Sequence, residues 1–577
     1  MPPKVVVIGL DGATFTLLAP WMAEGRLPYL RSLMAAGASG PLRSSIPPVT
    51  VPAWQCFMTG KNPAKIGVAG FFEQKAGSYE ETPVTAASCR ARTLWDMLAD
   101  AGVRAAVLNL PYARVPQTFN GVAIGGFDTP PERIADAVHP PGLLAEIERE
   151  CGPYRVYLRT PQWLAPLLAV NRFEFAIDWF LRDCAELTEY QFRVARWLIA
   201  RDDFDAVVFY QLATDRIQHW LWYLLDESHP RHDPALAARF RERIIAYYDR
   251  LDAEVAALVR SIGGDPVVMI VSDHGFGPVA RGIDLNSFLL ARGYQAIARR
   301  PGALVKRALW RLGWGPHRII RPLLSRPLRW RVVQRRLLRS FGAQTRFHAW
   351  DQLLRALNRW LFLSTDDVDR ARSLAYCLAE FGMIRVNVKG REPLGAVEPA
   401  RYAAVRDRLV AELRALVDPA TGERVDADVF VKEETYQGEH IDAMPDVAFI
   451  PLAKPYLAVN PTTFLTRRVF IDDIGVTGFH QLDGILIARG PFVREGAAVR
   501  RARLMDLAPT ILYLLGLPIP DDMDGRVLTE LFDPARLAER PVETFAAPVA
   551  ANGAGAELSS SDREAVLARL KGLGYVD

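Results

Sequence analysis

Short apolar runs rich in β-branched residues recur along the chain, and segments of helical periodicity separate most of them. Seven such runs, each followed by Gly, Asp or Pro, are predicted to be buried strands: residues 5–10, 103–110, 206–210, 267–271, 384–388, 447–450 and 484–488. Helices are predicted at residues 29–36, 93–101, 247–259 and 504–515, among others. Buried strands that alternate with helices favour a mostly parallel sheet covered by helices on both faces. The pattern therefore predicts the α/β fold class.

Two acidic residues lie where a sheet of this kind binds its ligands. In open α/β sheets, ligands bind outside the carboxyl ends of the strands. Asp11 and Asp273 each come just after the end of a predicted strand. Their placement is the first indication of a functional site.

Composition and cysteine usage limit the class of protein. Half of the 577 residues are hydrophobic, which allows a large buried core, and the net charge of +4 by itself indicates no partner. The five cysteines are scattered without CxxC or metal-type spacing, so we interpret them as isolated packed thiols. The start of the chain lacks the signal-peptide pattern, and no run of about 18 apolar residues occurs. We therefore expect a cytoplasmic protein that is either soluble or peripheral at the inner membrane surface.

Three local clusters contain residue types that bind metals. The first is Asp11 beside a glycine, although a turn that caps a helix explains an isolated Asp better. In the second, Asp215 and His219 are four residues apart, so on a helix both could hold one metal ion; an exposed pair is an equally good interpretation. In the third, Asp273 and His274 directly follow an apolar strand and can both turn toward one ion.

Together with two further segments, these clusters resemble a known family. The segments are residues 47–54, Pro-Pro-Val-Thr-Val-Pro-Ala-Trp, and residues 478–484, Gly-Phe-His-Gln-Leu-Asp-Gly. In order and residue type, the five clusters resemble the metal and nucleophile positions of the type I phosphodiesterase/nucleotide pyrophosphatase branch of the alkaline phosphatase superfamily. The resemblance covers nearly the whole chain apart from a basic insert and the tail. It implies an alkaline phosphatase-like core with helical inserts.

The resemblance assigns a role to each matching position. The resemblance implies two divalent metal ions and a nucleophile. One ion would be held by Asp215, His219 and His480, and the other by Asp11, Asp273 and His274. Thr50 would be the nucleophile and would bridge or face both ions. Nitrogen and carboxylate ligands suit Zn²⁺, the metal that we expect, and also Mn²⁺. Two ions roughly 4 Å apart can clamp the attacking and leaving oxygens of an in-line displacement. The family thus implies a metal-dependent phosphate-ester hydrolase, phosphodiesterase or phosphatase-like, that acts through a covalent phosphothreonine at Thr50.

Two other functions are compatible with the same residues. A transferase or mutase would pass the phosphoryl or head group from Thr50 to an alcohol instead of water. Because both share the covalent step, the sequence does not separate this function from hydrolysis. A non-catalytic binding protein would be favoured by a missing ligand, and none is missing.

One position departs from the family pattern. Nucleotide pyrophosphatases carry an asparagine twenty-one residues after the nucleophile that contacts the phosphoryl group, and here that position is Phe71. An apolar wall in place of this contact favours a small-molecule or lipid-like phosphate ester over a nucleotide; the residues that bind the substrate stay unassigned. A sulfatase is not expected. Sulfatases carry the motif C/S-x-P-x-R, whereas this sequence has Thr50 at its first position and Trp54 at its last.

Periodicity and resemblance divide the chain into four regions. Residues 1–290 are expected to form the first half of the catalytic core, with a helical insert at about 140–201. Residues 291–365 are expected to be a basic helical insert, and residues 366–540 the second half of the core. Residues 541–577 are expected to be a linker followed by a short C-terminal helix.

The positive charge around the basic insert is concentrated in residues 285–350, which contain fifteen Arg and Lys residues and no Asp or Glu. A solvated helical face explains this composition, but arginines interleaved with Trp310, Trp314 and Trp330 also suit an anionic interface. We therefore predict a peripheral contact with an anionic membrane through residues 292–346, in which these tryptophans insert. Arginine clusters also neutralise nucleic-acid phosphates. No recognised binding fold accompanies them, so no specific nucleic acid is expected.

Overall fold

The chain folds into a long series of strands and helices. The computed structural model describes residues 4–159, 174–316, 360–451, 455–472 and 474–547. Its strands are β1 (Val5–Leu10), β2 (Ala38–Arg43), β3 (Phe72–Gln74), β4 (Glu81–Pro83), β5 (Ala105–Leu108), β6 (Gly121–Ile124), β7 (Val138–His139), β8 (Ala206–Gln211), β9 (Val267–Val271), β10 (Gly275–Pro278), β11 (Arg281–Asp284), β12 (Ala375–Cys377), β13 (Met383–Val386), β14 (Ala427–Val431), β15 (Val447–Pro451), β16 (Tyr456–Val459), β17 (Phe470–Asp472), β18 (Gly478–Gln481), β19 (Asp483–Arg489), β20 (Ala502–Arg503), β21 (Ile519–Pro520) and β22 (Thr544–Phe545). Its α-helices are α1 (Phe15–Ala23), α2 (Pro28–Ala35), α3 (Thr50–Thr59), α4 (Pro63–Ile66), α5 (Leu94–Asp100), α6 (Leu143–Cys151), α7 (Glu174–Ile199), α8 (Ala213–Leu225), α9 (Pro234–Ile262), α10 (Leu285–Ala291), α11 (Pro301–Arg311), α12 (Tyr402–Arg414), α13 (Lys432–Thr435), α14 (Leu507–Leu515) and α15 (Pro534–Glu539).

Nine strands form one central sheet, in the order β20-β2-β19-β9-β1-β8-β5-β6-β7. The pairings of β1 with β8 and β9, of β5 with β6 and β8, and of β2 with β20 are parallel. In contrast, β19 runs antiparallel to β2 and β9, and β7 runs antiparallel to β6. The sheet is thus mostly parallel, which confirms the predicted α/β class.

Successive side chains of β1 enter two different cores. Val6, Ile8 and Leu10 pack into one core with α1, α2, α7, α8 and α9. Val5 and Val7 pack into the other with α3, α5 and α14. Because neighbouring residues of a strand point to opposite faces, both faces of the sheet are covered by helices, as predicted.

All seven predicted strands are present within a few residues, but two of them lie outside the central sheet. The predicted strands at 384–388 and 447–450 correspond to β13 and β15, which belong to an antiparallel sheet of order β12-β13-β15-β14. That sheet has its own core, to which α12 contributes. A strand that is buried on both faces gives an apolar run in a parallel and in an antiparallel sheet. Periodicity therefore could not show which of the two sheets a strand belongs to.

The four predicted regions remain a prediction. Within the expected helical insert at 140–201, α6 and α7 are present, and residues 160–173 lie outside the described residues. The expected C-terminal helix of 541–577 also lies outside them, since the description ends at residue 547. Among the helices of the described residues, none combines the length and the apolar character that crossing a membrane requires.

The basic segment is described only as far as residue 316, so residues 317–346 lie outside the described residues. Arg300 Nη2 and Lys306 Nζ contact the carboxylate of Asp367 at 2.8 and 3.0 Å, so an acid from outside the segment compensates two of its charges. Trp310 is buried, and its Nε1 donates to the carbonyl oxygen of Thr466 at 3.1 Å. The expectation that Trp310 inserts into a membrane is therefore wrong, because its ring is used in packing.

Candidate metal centre

Three adjacent strands of the central sheet end at predicted ligands. The middle strand, β1, is followed directly by Asp11, and its neighbour β9 is followed after one residue by Asp273. On the other side, β8 leads into α8, which carries Asp215 and His219 one turn apart on the same face. Because β1, β8 and β9 are parallel, their carboxyl ends lie at one edge of the sheet. Three distant parts of the sequence meet there.

A strand pair brings His480 to the same edge. β10 begins directly after His274 and pairs antiparallel with β18, so that Phe276 lies opposite His480. The rings of His274 and His480 stack with centroids 3.6 Å apart. Gly12 permits this packing: its φ is +63°, and a Cβ there would lie 2.7 Å from the ring of Phe276.

Asp215, His219 and His480 form the first group of predicted ligands, which we call the Asp215 cluster. The Nε2 atoms of His219 and His480 are 3.0 Å apart. Oδ1 of Asp215 lies 3.3 Å from Nε2 of His219 and 3.2 Å from Nε2 of His480. All three side chains are buried, and their ligand atoms point at one small volume.

Asp11, Asp273 and His274 form the second group, the Asp11 cluster. Nε2 of His274 lies 3.4 Å from Oδ1 of Asp11 and 3.3 Å from Oδ2 of Asp273. The other two carboxylate oxygens accept hydrogen bonds, Oδ2 of Asp11 from the hydroxyl of Tyr210 and Oδ1 of Asp273 from the N–H of Gly12 at 3.2 Å. These bonds orient one oxygen of each carboxylate toward His274.

The three histidines are held by the same kind of contact. In each ring, Nδ1 faces a backbone carbonyl oxygen: His219 that of Gly478 at 3.0 Å, His480 that of Pro48 at 2.9 Å and His274 that of Gly275 at 3.1 Å. A carbonyl oxygen only accepts, so Nδ1 carries the proton in each neutral ring and Nε2 presents a lone pair. Histidines that bind metals are commonly fixed in this way.

This arrangement suits metal ligands better than a hydrogen-bonded network. In the Asp215 cluster, two Nε2 lone pairs and a carboxylate oxygen face one another, which is repulsive unless a cation lies between them. In the Asp11 cluster, Oδ1 of Asp11 and Oδ2 of Asp273 accept no hydrogen bond from the residues that the structure describes. Buried oxygens are rarely left in that state. The residues present therefore fit a divalent cation in each cluster.

The two clusters differ in their electrostatics. Burial favours the neutral form of Asp215, but His219 and Arg216 outweigh it and hold the pKa of this carboxyl well below its usual range. Burial, reinforced by the charges of Asp273 and Asp215, raises the pKa of Asp11 well above its usual range. Burial also raises the pKa of Asp273, to about 7. Without a cation, the carboxyls of Asp11 and Asp273 thus favour their neutral forms more than an ordinary carboxyl does, whereas Asp215 favours its charged form.

Thr50, the predicted nucleophile, is the first residue of α3 and is buried beside the clusters. Its Oγ1 lies 3.4 Å from Nε2 of His274. The N-cap residue, Val49, makes no side-chain hydrogen bond to the helix, so the first N–H groups of α3 are not capped by it. The structure thus brings together all seven residues that the sequence singled out for the metals and the nucleophile.

Two residues beside the ligands were not predicted. Arg216 is buried, and its Nη2 lies 3.0 Å from Oδ2 of Asp215. It stands inside the motif that carries Asp215 and His219, so a buried charge partner could have been suspected there. Tyr210, which donates to Asp11, reaches it only through the pairing of β8 with β1, and no sequence signal indicates that contact.

Phe71, which occupies the position of the family's asparagine, lies in a hydrophobic core that also contains Trp54 and Trp95. Its backbone N–H donates to Oε2 of Glu380 at 2.7 Å. Burial raises the pKa of Glu380 to about 7. Whether the ring of Phe71 faces the substrate stays a prediction.

The sequence model of type I phosphodiesterases and nucleotide pyrophosphatases matches residues 5–463, which include five of the six candidate ligands and Thr50. The chain belongs to this family. The family is part of the alkaline phosphatase superfamily of phosphoester hydrolases, so the enzyme class expected from the sequence is confirmed at that level. His480 lies beyond the matched residues; the resemblance of residues 478–484 predicted it as a ligand, and the structure brings it to Asp215 and His219.

Solved structures share the fold at low sequence identity. A phosphonoacetate hydrolase from Sinorhizobium meliloti 1021, solved with phosphonoformate, is 14% identical, with a TM-score of 0.50 over 89% of this chain and 96% of that chain. Murine ectonucleotide pyrophosphatase/phosphodiesterase 5, solved as an inactive variant with AMP, is 13% identical, with a TM-score of 0.46 over 92% of this chain and 100% of that chain. The first of these similarities supports the fold.

A short stretch is similar to a different enzyme. Over 46 residues the chain is 50% identical to the 2,3-bisphosphoglycerate-independent phosphoglycerate mutase of Cereibacter sphaeroides (strain ATCC 17025 / ATH 2.4.3). The match spans only 8% of this chain and 8% of the mutase. It therefore carries nothing about the rest of either protein.

Proposed function

We propose that the chain is a metal-dependent phosphodiesterase whose nucleophile is Thr50. The observation that supports this most is the convergence of lone pairs in the Asp215 cluster beside the Asp11 cluster and the Thr50 hydroxyl. Two imidazoles and a carboxylate whose ligand atoms lie this close together in a buried site suit a divalent cation.

The Asp215 cluster would hold one cation and the Asp11 cluster the other, with Zn²⁺ as the proposed metal and Mn²⁺ as the alternative. When bound, the cations would lower the pKa of the Thr50 hydroxyl and offset negative charge on the phosphoryl oxygens. His274, whose Nε2 lies 3.4 Å from Oγ1 of Thr50, serves as a ligand in this proposal, so a cation and not a histidine base activates the hydroxyl. The three histidines serve as neutral ligands, consistent with burial lowering the pKa of His219 and of His480.

The proposed reaction has two displacements at phosphorus. Oγ of Thr50 loses its proton and bonds to phosphorus, while the bond from phosphorus to the leaving oxygen breaks and that oxygen takes a proton from water. A water oxygen then bonds to phosphorus, the bond to Thr50 Oγ breaks, and Thr50 regains a proton. The first N–H groups of α3 are well placed to bind a phosphoryl oxygen, because a helix N-terminus attracts anions.

The covalent step can be tested by trapping. We expect acid-quenched enzyme, mixed with bis(p-nitrophenyl) phosphate, to contain a p-nitrophenyl phosphoryl group on Thr50 by peptide mass spectrometry. Thr50→Ala should keep both metal ions and lose turnover by on the order of 10³-fold or more, while Thr50→Ser retains part of it. The exposed Thr16→Ala serves as the matched control. Wild-type turnover by Thr50→Ala would show that water attacks directly.

A second function, a phosphoryl or head-group transferase or mutase, is compatible with the same two clusters and Thr50. Both functions share the first displacement and differ in the acceptor of the second. Product analysis with and without a small alcohol separates them. Transfer to the alcohol in preference to water would favour the transferase, and release of the free acid alone would favour the hydrolase.

For the basic segment, we keep the proposal that residues 292–346 contact an anionic membrane. Among its described tryptophans, Trp314 is exposed and Trp310 is not, so Trp314 is the described ring that could insert. Near an anionic surface, each Lys or Arg contributes roughly 1 kcal/mol of attraction. The protein should co-sediment with phosphatidylserine-rich liposomes at low salt and be released at about 0.5 M salt, since salt screens the charges. If it ignores these liposomes at low salt, the segment is only a solvated face.

A further inference from the structure

An apolar cavity of about 40 Å³ adjoins the Asp215 cluster. It is lined by the segment just before Thr50, by β18, by β15 and β16, and by Phe381; we call it the Phe381 pocket. Among its walls are Val49, Phe381, Phe449, Phe479 and His480. The pocket thus lies between the central catalytic region and the antiparallel sheet that contains β15.

Aromatic rings connect this pocket to the proposed metal ligands. The ring of Phe479 stacks on that of His480, with centroids 4.6 Å apart and an interplanar angle of 18°. Phe381 meets Phe479 edge to face, with centroids 5.1 Å apart. Phe381 is half-buried, so its ring forms the outer side of the wall. A group bound in the pocket, whose lining includes Phe479 and His480, would therefore be next to a proposed metal ligand.

The chemistry of the lining excludes charge. Among the described residues that line the pocket, none is Lys, Arg, Asp or Glu. A second phosphate or a carboxylate placed there would lose its hydration without a compensating contact. Apolar groups gain free energy on entering such a space. The occupant is therefore uncharged and apolar.

The volume limits the size of the occupant. A cavity of about 150 Å³ is known to hold benzene, and about 10–15 Å³ is needed for one water molecule. The 40 Å³ of this pocket lies between these limits, which suits a short alkyl group and excludes a nucleobase or an aromatic ring unless the walls move.

The position of the pocket indicates which part of the substrate it receives. Its wall includes Pro48 and Val49, which directly precede Thr50, and His480, so the pocket adjoins both the segment that carries the nucleophile and a proposed metal ligand. In an in-line displacement, the leaving oxygen lies opposite the attacking one. The group beside the nucleophile is therefore the ester group that stays on phosphorus.

We propose that the Phe381 pocket binds a short alkyl ester group, from methyl to about propyl, and that the enzyme prefers alkyl phosphodiesters over phosphomonoesters and nucleotides. This specificity rests on the phosphodiesterase function proposed above. It assigns substrate contacts to Val49 and Phe479, which lie in two of the resembling segments but had no role there, and to Phe381, which the sequence did not single out.

The test compares esters that share one leaving group. Chelator-sensitive release of p-nitrophenol is measured from p-nitrophenyl phosphate, from its methyl, ethyl, propyl and phenyl diesters, and from p-nitrophenyl thymidine phosphate. We expect kcat/KM to rise about fourfold for each CH₂ from methyl to propyl, and to fall for the phenyl and thymidine esters. A flat series, or faster cleavage of the thymidine ester, overturns the proposal while leaving the hydrolase intact. No chelator-sensitive release from any ester would instead overturn the proposed function.

Two variants test the pocket itself. Phe381→Ala should move the optimum to longer or aromatic groups, because it opens the outer wall. Ala458→Val should reduce kcat/KM for the propyl ester to about the level of the methyl ester, because the lining residue Ala458 would then fill the cavity. The exposed Phe545→Ala is the control and should leave the series unchanged. If Ala458→Val does not fold, Phe381→Ala still decides: an unchanged series in that variant contradicts the proposal.

Discussion

The two ligand clusters contain the same number of side chains but are balanced differently. The Asp215 cluster has one carboxylate, two histidines and the buried guanidinium of Arg216 at 3.0 Å from that carboxylate. The Asp11 cluster has two carboxylates and one histidine, and the pKa of both carboxyls is raised, first of all by burial. The first cluster is thus largely compensated before a cation arrives, whereas the second depends on one. Two clusters with the same number of ligands therefore differ in their charge.

The largest effect expected is the loss of turnover when either cation is removed. Dialysis against a chelator should abolish hydrolysis, and added Zn²⁺ or Mn²⁺ should restore it. Asp215→Ala and Asp273→Ala should each lose one ion by elemental analysis and lower kcat by on the order of 10³-fold. Full activity in a metal-free preparation would show that hydrolysis needs a cation in neither cluster.

In the metal-free protein, replacing the carboxyl of Asp215 should lower the thermal midpoint, whereas replacing that of Asp273 should raise it. Asp215→Asn leaves Arg216 buried beside a neutral group, and breaking a buried pair typically costs about 3–5 kcal/mol of unfolding free energy. Asp273→Asn removes a carboxyl whose pKa burial raises to about 7, so above pH 7 it should raise the thermal midpoint of the metal-free protein. Both midpoints are measured by calorimetry in chelator. A drop of equal size in both variants would show that the clusters do not differ in charge balance.

A smaller effect is expected from the residue that orients Asp11. Tyr210→Phe removes the hydroxyl that donates to Oδ2 of Asp11 without changing the ring. Loss of such an outer partner typically weakens metal affinity by about 10- to 100-fold. Because this hydroxyl donates to Asp11, the ion of the Asp11 cluster should be the one affected. Tyr513→Phe, whose hydroxyl bonds a backbone carbonyl far along the chain, is the matched control. Equal affinities in wild type and Tyr210→Phe would contradict the orienting role.

Much of the fold and of the candidate site could be predicted because the signals are local. The strand runs, the spacing of Asp215 and His219, and the placement of Asp11 and Asp273 after strands are visible in short windows. The Phe381 pocket could not be predicted, since its walls come from segments hundreds of residues apart. For the same reason, the separate sheet of β13 and β15 and the burial of Trp310 required the structure. These features depend on contacts between segments that are distant in the sequence, and local residue patterns do not predict such contacts.

The smallest effect on stability is expected from Glu380, a buried carboxyl that belongs to neither cluster. Its titration therefore shows the effect of burial on a carboxyl pKa without the other ligands. Burial raises the pKa of Glu380 from 4.5 to about 7. Between these pH values the unfolded chain loses this proton and the folded protein keeps it, so stability falls as pH rises from about 4.5 to 7 and then stays lower. Glu380→Gln does not titrate, so its thermal midpoint should match that of the wild type near pH 4.5 and exceed it by roughly 1–3 °C at pH 8. The exposed Glu543→Gln should show no such pH-dependent difference. A midpoint difference for Glu380→Gln that shrinks with rising pH would mean that contacts of the charged form outweigh burial, and the same would then have to be considered for Asp273.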